Sequence, residues 1–209
     1  MTPAQKPRKT LPDFAAEAEL RRKNLWPVAG VDEVGRGPLA GPVCAAAVIF
    51  DPCNIPDGLN DSKAMSPNSR EIAFARIVES ALATSFAFVT AAEIDATDIR
   101  KASLKAMAQA VAGLSIAPAY VLVDGRDLPR LSCPGSAIVK GDAKSLSIAA
   151  ASIVAKVTRD GLMRRLAEEY PGYGFETNAG YGSPRHLAAL AALGPTPYHR
   201  MSFAPLRRN

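Results

Sequence analysis

The chain has 209 residues, 48% of them hydrophobic, with a mean hydropathy near zero, which supplies one sizeable core and at most a small appendage. No apolar run approaches the roughly 18 residues of a membrane span, and the basic residues of MTPAQKPRKTLPDFAAEAEL are followed by no apolar segment, so neither a membrane anchor nor a secretory signal is expected. Twenty-five basic against twenty acidic residues leave a net charge of +5, which suits a polyanionic partner without requiring one.

Residues 1 to 10 read as a loose basic arm, and DFAAEAELRRKNLW (13–26) as a short helix stopped by Pro27. VAGVDEV (28–34) and GPVCAAAVIF (41–50) are runs of β-branched and small residues separated by GRGPLA, the pattern of a strand, a turn and a second strand. Cys44 lies inside the second run as a small hydrophobe. With Cys53 and Cys133 it makes an odd set lacking CxxC spacing, which points to a reducing, cytoplasmic setting. DPCNIPDGLNDSKAMSPNS (51–69) has loop composition, SPNSREIAFARIVESAL (66–82) has helical spacing, and SFAFVTAAEI (85–94) is a third strand candidate.

Thr97 or Asp98 can cap a helix carrying Leu104, Met107, Ala108 and Val111, which Gly113 ends. AYVLVDG (119–125) reads as a fully buried strand and AIVKGD (137–142) as a shorter one. A long helix is expected from about Ser145 to Glu169, with Ala149, Ala150 and Ala151 allowing close approach to a sheet and Gly161 costing roughly 1 kcal/mol. A Gly-, Tyr- and Pro-rich tail then leads to a last helix over RHLAALAAL (185–193). Strands followed by alternating helices and strands give an α/β fold, a mixed sheet with helices on its faces and a helical C-terminal extension.

Four acids stand out by position. Asp32 and Glu33 interrupt an apolar run, while Asp124 and Asp142 stand at or just past the carboxyl ends of predicted strands, where sites form in open α/β sheets. A single such acid is also an ordinary turn residue. Four that converge would repel one another unless divalent cations lay between them, and an oxygen-only donor set suits Mg²⁺ or Mn²⁺. Alternation along a strand sends Asp32 and Glu33 to opposite faces, so they share a site only if the strand ends, bulges or offers a backbone oxygen there.

The segments GVDEVGRGPLAGPV, LNDSK (59–63), ATDIRKASLKAM (96–107), VLVDG (121–125), KGDAKSLSIAAASIVAKVTRD (140–160), YPGYGFETNAGYGSPRH (170–186) and HRMSFAP (199–205) resemble, in this order, bacterial ribonuclease HII, the type 2 ribonuclease H family. The resemblance implies a ribonuclease H-like mixed five-stranded sheet flanked by helices. It implies a metal-dependent endonuclease that cuts the RNA strand of RNA/DNA hybrids and cuts 5′ to single ribonucleotides in duplex DNA, using two divalent ions held by Asp32, Glu33, Asp124 and Asp142.

On the same resemblance Gly35, Arg36 and Gly37 read the substrate, their amides reaching the 2′-hydroxyl and a phosphate. Tyr181 stacks on the sugar after the ribonucleotide, with Tyr170 and Tyr173 as competitors for that role. Ser62, Lys63, Lys140 and Lys144 are candidate phosphate contacts. His186 and His199 need be no more than structural. The domain reading is an N-terminal arm and short helix (1–22) before a catalytic domain (23–209) that includes the extension from about 170, acting as a monomer on nucleic acid. Rival readings are a non-catalytic nucleic-acid module of the same fold and a nuclease indifferent to the 2′-hydroxyl; a P-loop kinase ranks below both because GxxxxGK[ST] is absent.

Overall fold

The computed structural model describes residues 11–207, so the expected basic arm lies outside the described residues. Helix α1 (Ala15–Arg22) leads to a five-stranded sheet in the order β3-β2-β1-β4-β5. Strands β1 (Val28–Val34), β2 (Val43–Phe50) and β3 (Ala81–Val89) form an antiparallel meander, while β4 (Tyr120–Asp124) runs parallel to β1 and β5 (Gly135–Ile138) parallel to β4. The expected mixed sheet is therefore present.

Side-chain alternation divides the core in two. Ala29, Val31, Val43, Ala45, Ala47, Ile49, Val121 and Val123 face α4 (Ile99–Ala112), whereas Cys44, Ala46, Val48 and Phe50 face α2 (Pro67–Ser80) and α5 (Leu146–Glu169). Helix α5 runs unbroken through Gly161, and its first turn rests on β1 so closely that a Cβ at Gly30 would lie 2.1 Å from the carbonyl carbon of Ser147. That seat fixes the helix against the strand that carries Asp32.

Helix starts follow side-chain capping: Ser66 for α2, Asp98 rather than Thr97 for α4, Ser145 for α5 and Ser183 for α7 (Pro184–Leu193). Two expected elements differ. The strand expected over 85–94 starts earlier and stops at Val89, because Thr90 and Glu93 form a reciprocal capping box that turns AAEIDA into α3 (Ala91–Ala96). The strand expected over 137–142 instead spans Gly135–Ile138; Lys140 adopts a left-handed conformation with φ of 57° and starts a 3-10 turn over Gly141–Ala143. Helix α6 (Phe175–Asn178) and α7 make up the extension.

Candidate active site

Asp32 lies near the end of β1 on the face covered by α5, 5% exposed, and its Oδ1 accepts the Glu33 N–H at 2.7 Å. Asp124 ends the neighbouring β4, and Asp142 stands in the 3-10 turn beyond β5, held close because Asp124 Oδ1 accepts the Gly141 N–H at 2.6 Å. Asp32, Asp124 and Asp142 each offer a carboxylate oxygen, and the three oxygens lie within 4.8 Å of one another. Like charges that close are unfavourable when buried. Desolvation, then repulsion from Glu33 and Asp124, holds the Asp32 carboxyl well above the ordinary carboxylate range, and desolvation followed by repulsion from Asp124 and Asp61 raises Asp142.

Lys63 lies within electrostatic range of the cluster. Its burial alone would depress the ammonium, but the summed attraction of Asp32, Asp142, Asp61 and Asp124 outweighs that and keeps its pKa above the ordinary lysine value. Ser62, expected at a phosphate, is buried, with its hydroxyl 2.7 Å from that of Ser152 on α5. Lys140 and Lys144 flank Asp142 in the chain and are both exposed.

Glu33 stands outside the close triad. The strand continues regularly through it, so its side chain faces the α4 side, in a cleft that it shares with Arg36, Ser103, Met107, Asp124 and Asp127. Arg36 donates to Glu33 Oε1 at 3.3 Å, while Oε2 is buried without a partner. Desolvation raises the Glu33 carboxyl, with Arg36 acting against it. The strand-end position of Asp124 thus sets carboxylates on both sides of the sheet edge. An all-oxygen donor set, clustered and short of counter-charge, fits hard divalent cations.

The loop joining β1 to β2 is built around two arginines. Arg159 of α5 donates through Nε to the Pro42 carbonyl at 2.9 Å, through Nη1 to Ala179 at 2.9 Å and through Nη2 to Ala40 at 3.1 Å. Arg200 donates through Nε to Gly41 at 3.0 Å, through Nη1 to Arg36 at 2.9 Å, and through Nη2 to Gly35 at 2.6 Å and Gly41 at 2.8 Å. Both side chains are fully buried. Burial lowers both guanidiniums, and burial together with repulsion from Arg159 brings Arg200 down to about 9.

The glycines of this loop have different causes. Gly35 has φ of 90°, and a Cβ there would fall 2.2 Å from Arg159 Nε; Gly37 is exposed and would meet only Tyr181 Cε1 at 3.5 Å. Tyr181 is 48% exposed, whereas Tyr173 is buried, stacked on Phe175, and Tyr170 packs edge-on to Tyr198. Of the three candidate tyrosines Tyr170, Tyr173 and Tyr181, Tyr181 alone meets the Gly-Arg-Gly turn with an open ring.

Behind Tyr181, His199 Nδ1 accepts the Thr196 N–H at 2.8 Å, which leaves its proton on Nε2, 3.0 Å from His186 Nε2. The His186 proton then lies on Nδ1, 2.8 Å from the Tyr181 carbonyl. Both rings are buried; desolvation, then His186, pushes His199 down to about 4. Sequence reasoning left out Arg159 and Arg200. A usable signal existed for the first: Arg159 falls four residues from Ala155 and from Met163, on the buried stripe of α5.

The family model described as Ribonuclease HII matches residues 29–206. The chain is similar to Ribonuclease HII of Rhizobium leguminosarum bv. trifolii, 56% identical over 199 residues covering 95% of this chain and 86% of that protein. Its fold is similar to the crystal structure of ribonuclease H2 from Pyrococcus horikoshii, with a TM-score of 0.74 and 29% identity over 86% of this chain and 95% of that one. It is also similar to the ribonuclease HII of Archaeoglobus fulgidus solved in complex with PCNA, with a TM-score of 0.72 and 27% identity over 87% and 97% of the two chains. With three clustered carboxylates at the ends of a mixed sheet and a match that runs from β1 to the C-terminal tail, the chain belongs to the ribonuclease HII family of metal-dependent endonucleases.

Proposed function

We propose that the chain hydrolyses the RNA strand of RNA/DNA hybrids and cuts 5′ to single ribonucleotides embedded in duplex DNA, leaving 3′-hydroxyl and 5′-phosphate ends. The observation that carries this reading is a juxtaposition. Three carboxylate oxygens within 4.8 Å of one another lie at the end of the strand that leads directly into an exposed turn, where Tyr181 meets Gly37. A metal-dependent nuclease needs only the first feature; one that requires a 2′-hydroxyl needs a reader beside it.

Asp32, Asp124 and Asp142, with Glu33 on the other side of the sheet edge, are the residues that would hold two divalent ions, Mg²⁺ or Mn²⁺, which when bound supply an activated water and stabilise the leaving oxygen. The protein's own part is orientation. Amides of the Gly35–Gly37 turn take the 2′-hydroxyl and the adjoining phosphate, and the Arg36 guanidinium reaches phosphate oxygens. The Tyr181 ring stacks on the following sugar and so senses an RNA-to-DNA junction. Lys140 and Lys144 contact phosphates, while Ser62, tied to Ser152, anchors the turn that carries Lys63.

No helix among the described residues is long and apolar enough to cross a membrane. The reading is completed by a cytoplasmic monomer that removes misincorporated ribonucleotides and RNA primers. Incubation with a labelled duplex containing one ribonucleotide, beside an all-DNA duplex and an EDTA control, tests it. Metal-dependent cutting 5′ to the ribonucleotide alone is expected. Cutting of both duplexes would replace the 2′-hydroxyl reader with a general nuclease, and binding without cutting under either metal would leave a non-catalytic module.

A further inference from the structure

Arg159 and Arg200 have an unusual set of partners. Neither forms a hydrogen bond or an ion pair with a carboxylate among the described residues; their guanidinium N–H groups go instead to backbone carbonyls. Five of those carbonyls belong to the β1–β2 loop, at Gly35, Arg36, Ala40, Gly41 and Pro42. The sixth, Ala179, belongs to the tail that carries Tyr181. The loop amides divide accordingly. Leu39 and Ala40 donate to the Gly180 carbonyl at 2.8 and 3.2 Å and Gly41 donates to Tyr198 at 2.9 Å, while no loop carbonyl or side chain among the described residues engages the amides of Gly35, Arg36 or Gly37.

We infer that Arg159 and Arg200 are positioning residues for substrate recognition: Arg200, by drawing the Gly35 and Arg36 carbonyls inward, turns the amides of Arg36 and Gly37 outward as a preformed anion-binding surface, and Arg159, by holding Ala40, Pro42 and Ala179, fixes the base of that loop and the tail beside it. A peptide unit has its C=O and the N–H of the next residue on opposite sides, so fixing the Gly35 and Arg36 carbonyls fixes the Arg36 and Gly37 amides. Successive amides facing one way make a concavity suited to phosphate or hydroxyl oxygen. Two cations beneath it, whose hydrogen bonds go only to carbonyls among the described residues, add a field favourable to a phosphodiester that a neutral support would not supply. Arg159 also bonds Ala179, two residues before Tyr181, so one side chain sets the distance between the 2′-hydroxyl reader and the stacking ring. The planar fork matters because lysine keeps the charge but cannot bond several carbonyls in fixed directions.

This inference rests on the functional reading above, and its test carries a readout independent of cleavage. Arg159→Lys and Arg200→Lys are compared with the parent protein by circular dichroism, by Mn²⁺ titration, by hydrogen exchange and by cleavage of the one-ribonucleotide duplex. Exchange at Leu39, Ala40 and Gly41 should accelerate by about tenfold or more while β1 stays protected. Mn²⁺ binding should be unchanged, kcat should fall by roughly 10- to 100-fold, and affinity for an all-DNA duplex should stay within about twofold.

Unchanged exchange in folded variants would overturn the inference whatever the cleavage result. Parental kcat, or loss of Mn²⁺ binding in step with activity, would overturn it as well, the latter by assigning the arginines to the acid cluster. If the parent protein itself fails to cut the duplex, the functional reading falls while exchange still decides whether the arginines hold the loop. Should a lysine variant not fold, Gly35→Ala approaches the same contact from the other side. Its methyl group would strike Arg159 Nε, and the same local exchange pattern is expected; its absence would count against the inference.

Discussion

Two groups of like charge are buried close to one another in this molecule, and the protein treats them in opposite ways. At the strand ends, Asp32, Asp124 and Asp142 face each other with few donors, so two of the three carboxyls are held above their ordinary pKa. Under the neighbouring loop, Arg159 and Arg200 repel each other too, yet their guanidinium donors are directed onto carbonyls. The first arrangement is incomplete and calls for an outside cation; the second is complete and makes a rigid support. Unsatisfied charge marks where a ligand enters, and satisfied charge marks what holds the frame still.

The sharpest way to break the comparison is to neutralise one acid. Asp32→Asn or Asp124→Asn should reduce cleavage by roughly a thousandfold or more while leaving duplex binding in place, measured by single-turnover kinetics beside electrophoretic binding. The Asp32→Asn variant should also raise the thermal midpoint without metal, since repulsion is relieved and the amide oxygen still accepts from Glu33 N–H. Full activity in either variant would remove these residues from the metal site.

Truncating an arginine should do the reverse. Arg159→Ala leaves the Pro42, Ala40 and Ala179 carbonyls without their donor and is expected to cost about 3 kcal/mol or more, read from the urea midpoint at constant slope. A change below about 0.5 kcal/mol would mean that the loop does not depend on it.

Tyr181→Ala touches neither charge group. Cleavage of one embedded ribonucleotide should fall by about tenfold, and that of a long hybrid by less, because stacking matters most at a single junction. Equal losses would deny it the junction role.

At neutral pH the smallest effect belongs to the histidine pair behind that ring, which acts on stability only in acid. His199 is about 4 in the fold against an ordinary value of 6.5, so below 6.5 the unfolded chain binds the extra proton first. Stability is therefore complete above about pH 6.5 and declines as the pH falls towards about 4, by at most roughly 3 kcal/mol, and His199→Gln should flatten that slope in pH-dependent urea titrations.

Legibility in the sequence followed how local each cause is. The acids of β1 and β4, the Asp98 cap as one of two alternatives, and the mixed sheet were readable because each depends on neighbours in the chain. Alternation correctly raised the conflict between Asp32 and Glu33, and the structure answers it by using both faces of the sheet edge. Asp142 was harder to place, since a left-handed Lys140 interrupts the strand that seemed to carry it. The arginine support was not readable. Its partners lie 117 to 165 residues away from Arg159 or Arg200, apart from Ala179, and backbone carbonyls leave no mark in a sequence.

Helix α1 bears on how short a working chain can be. Glu17 is fully buried, and its Oε1 accepts from the Ser145 hydroxyl at 2.6 Å and the Ser147 N–H at 3.0 Å, at the start of α5 and three residues past Asp142. Trimming that stops before Glu17 spares this clasp, whereas trimming beyond it uncovers the first turn of the helix that rests on the strand carrying Asp32. The useful boundary for a minimal enzyme is therefore set by one carboxylate on the N-terminal helix, well ahead of the first strand.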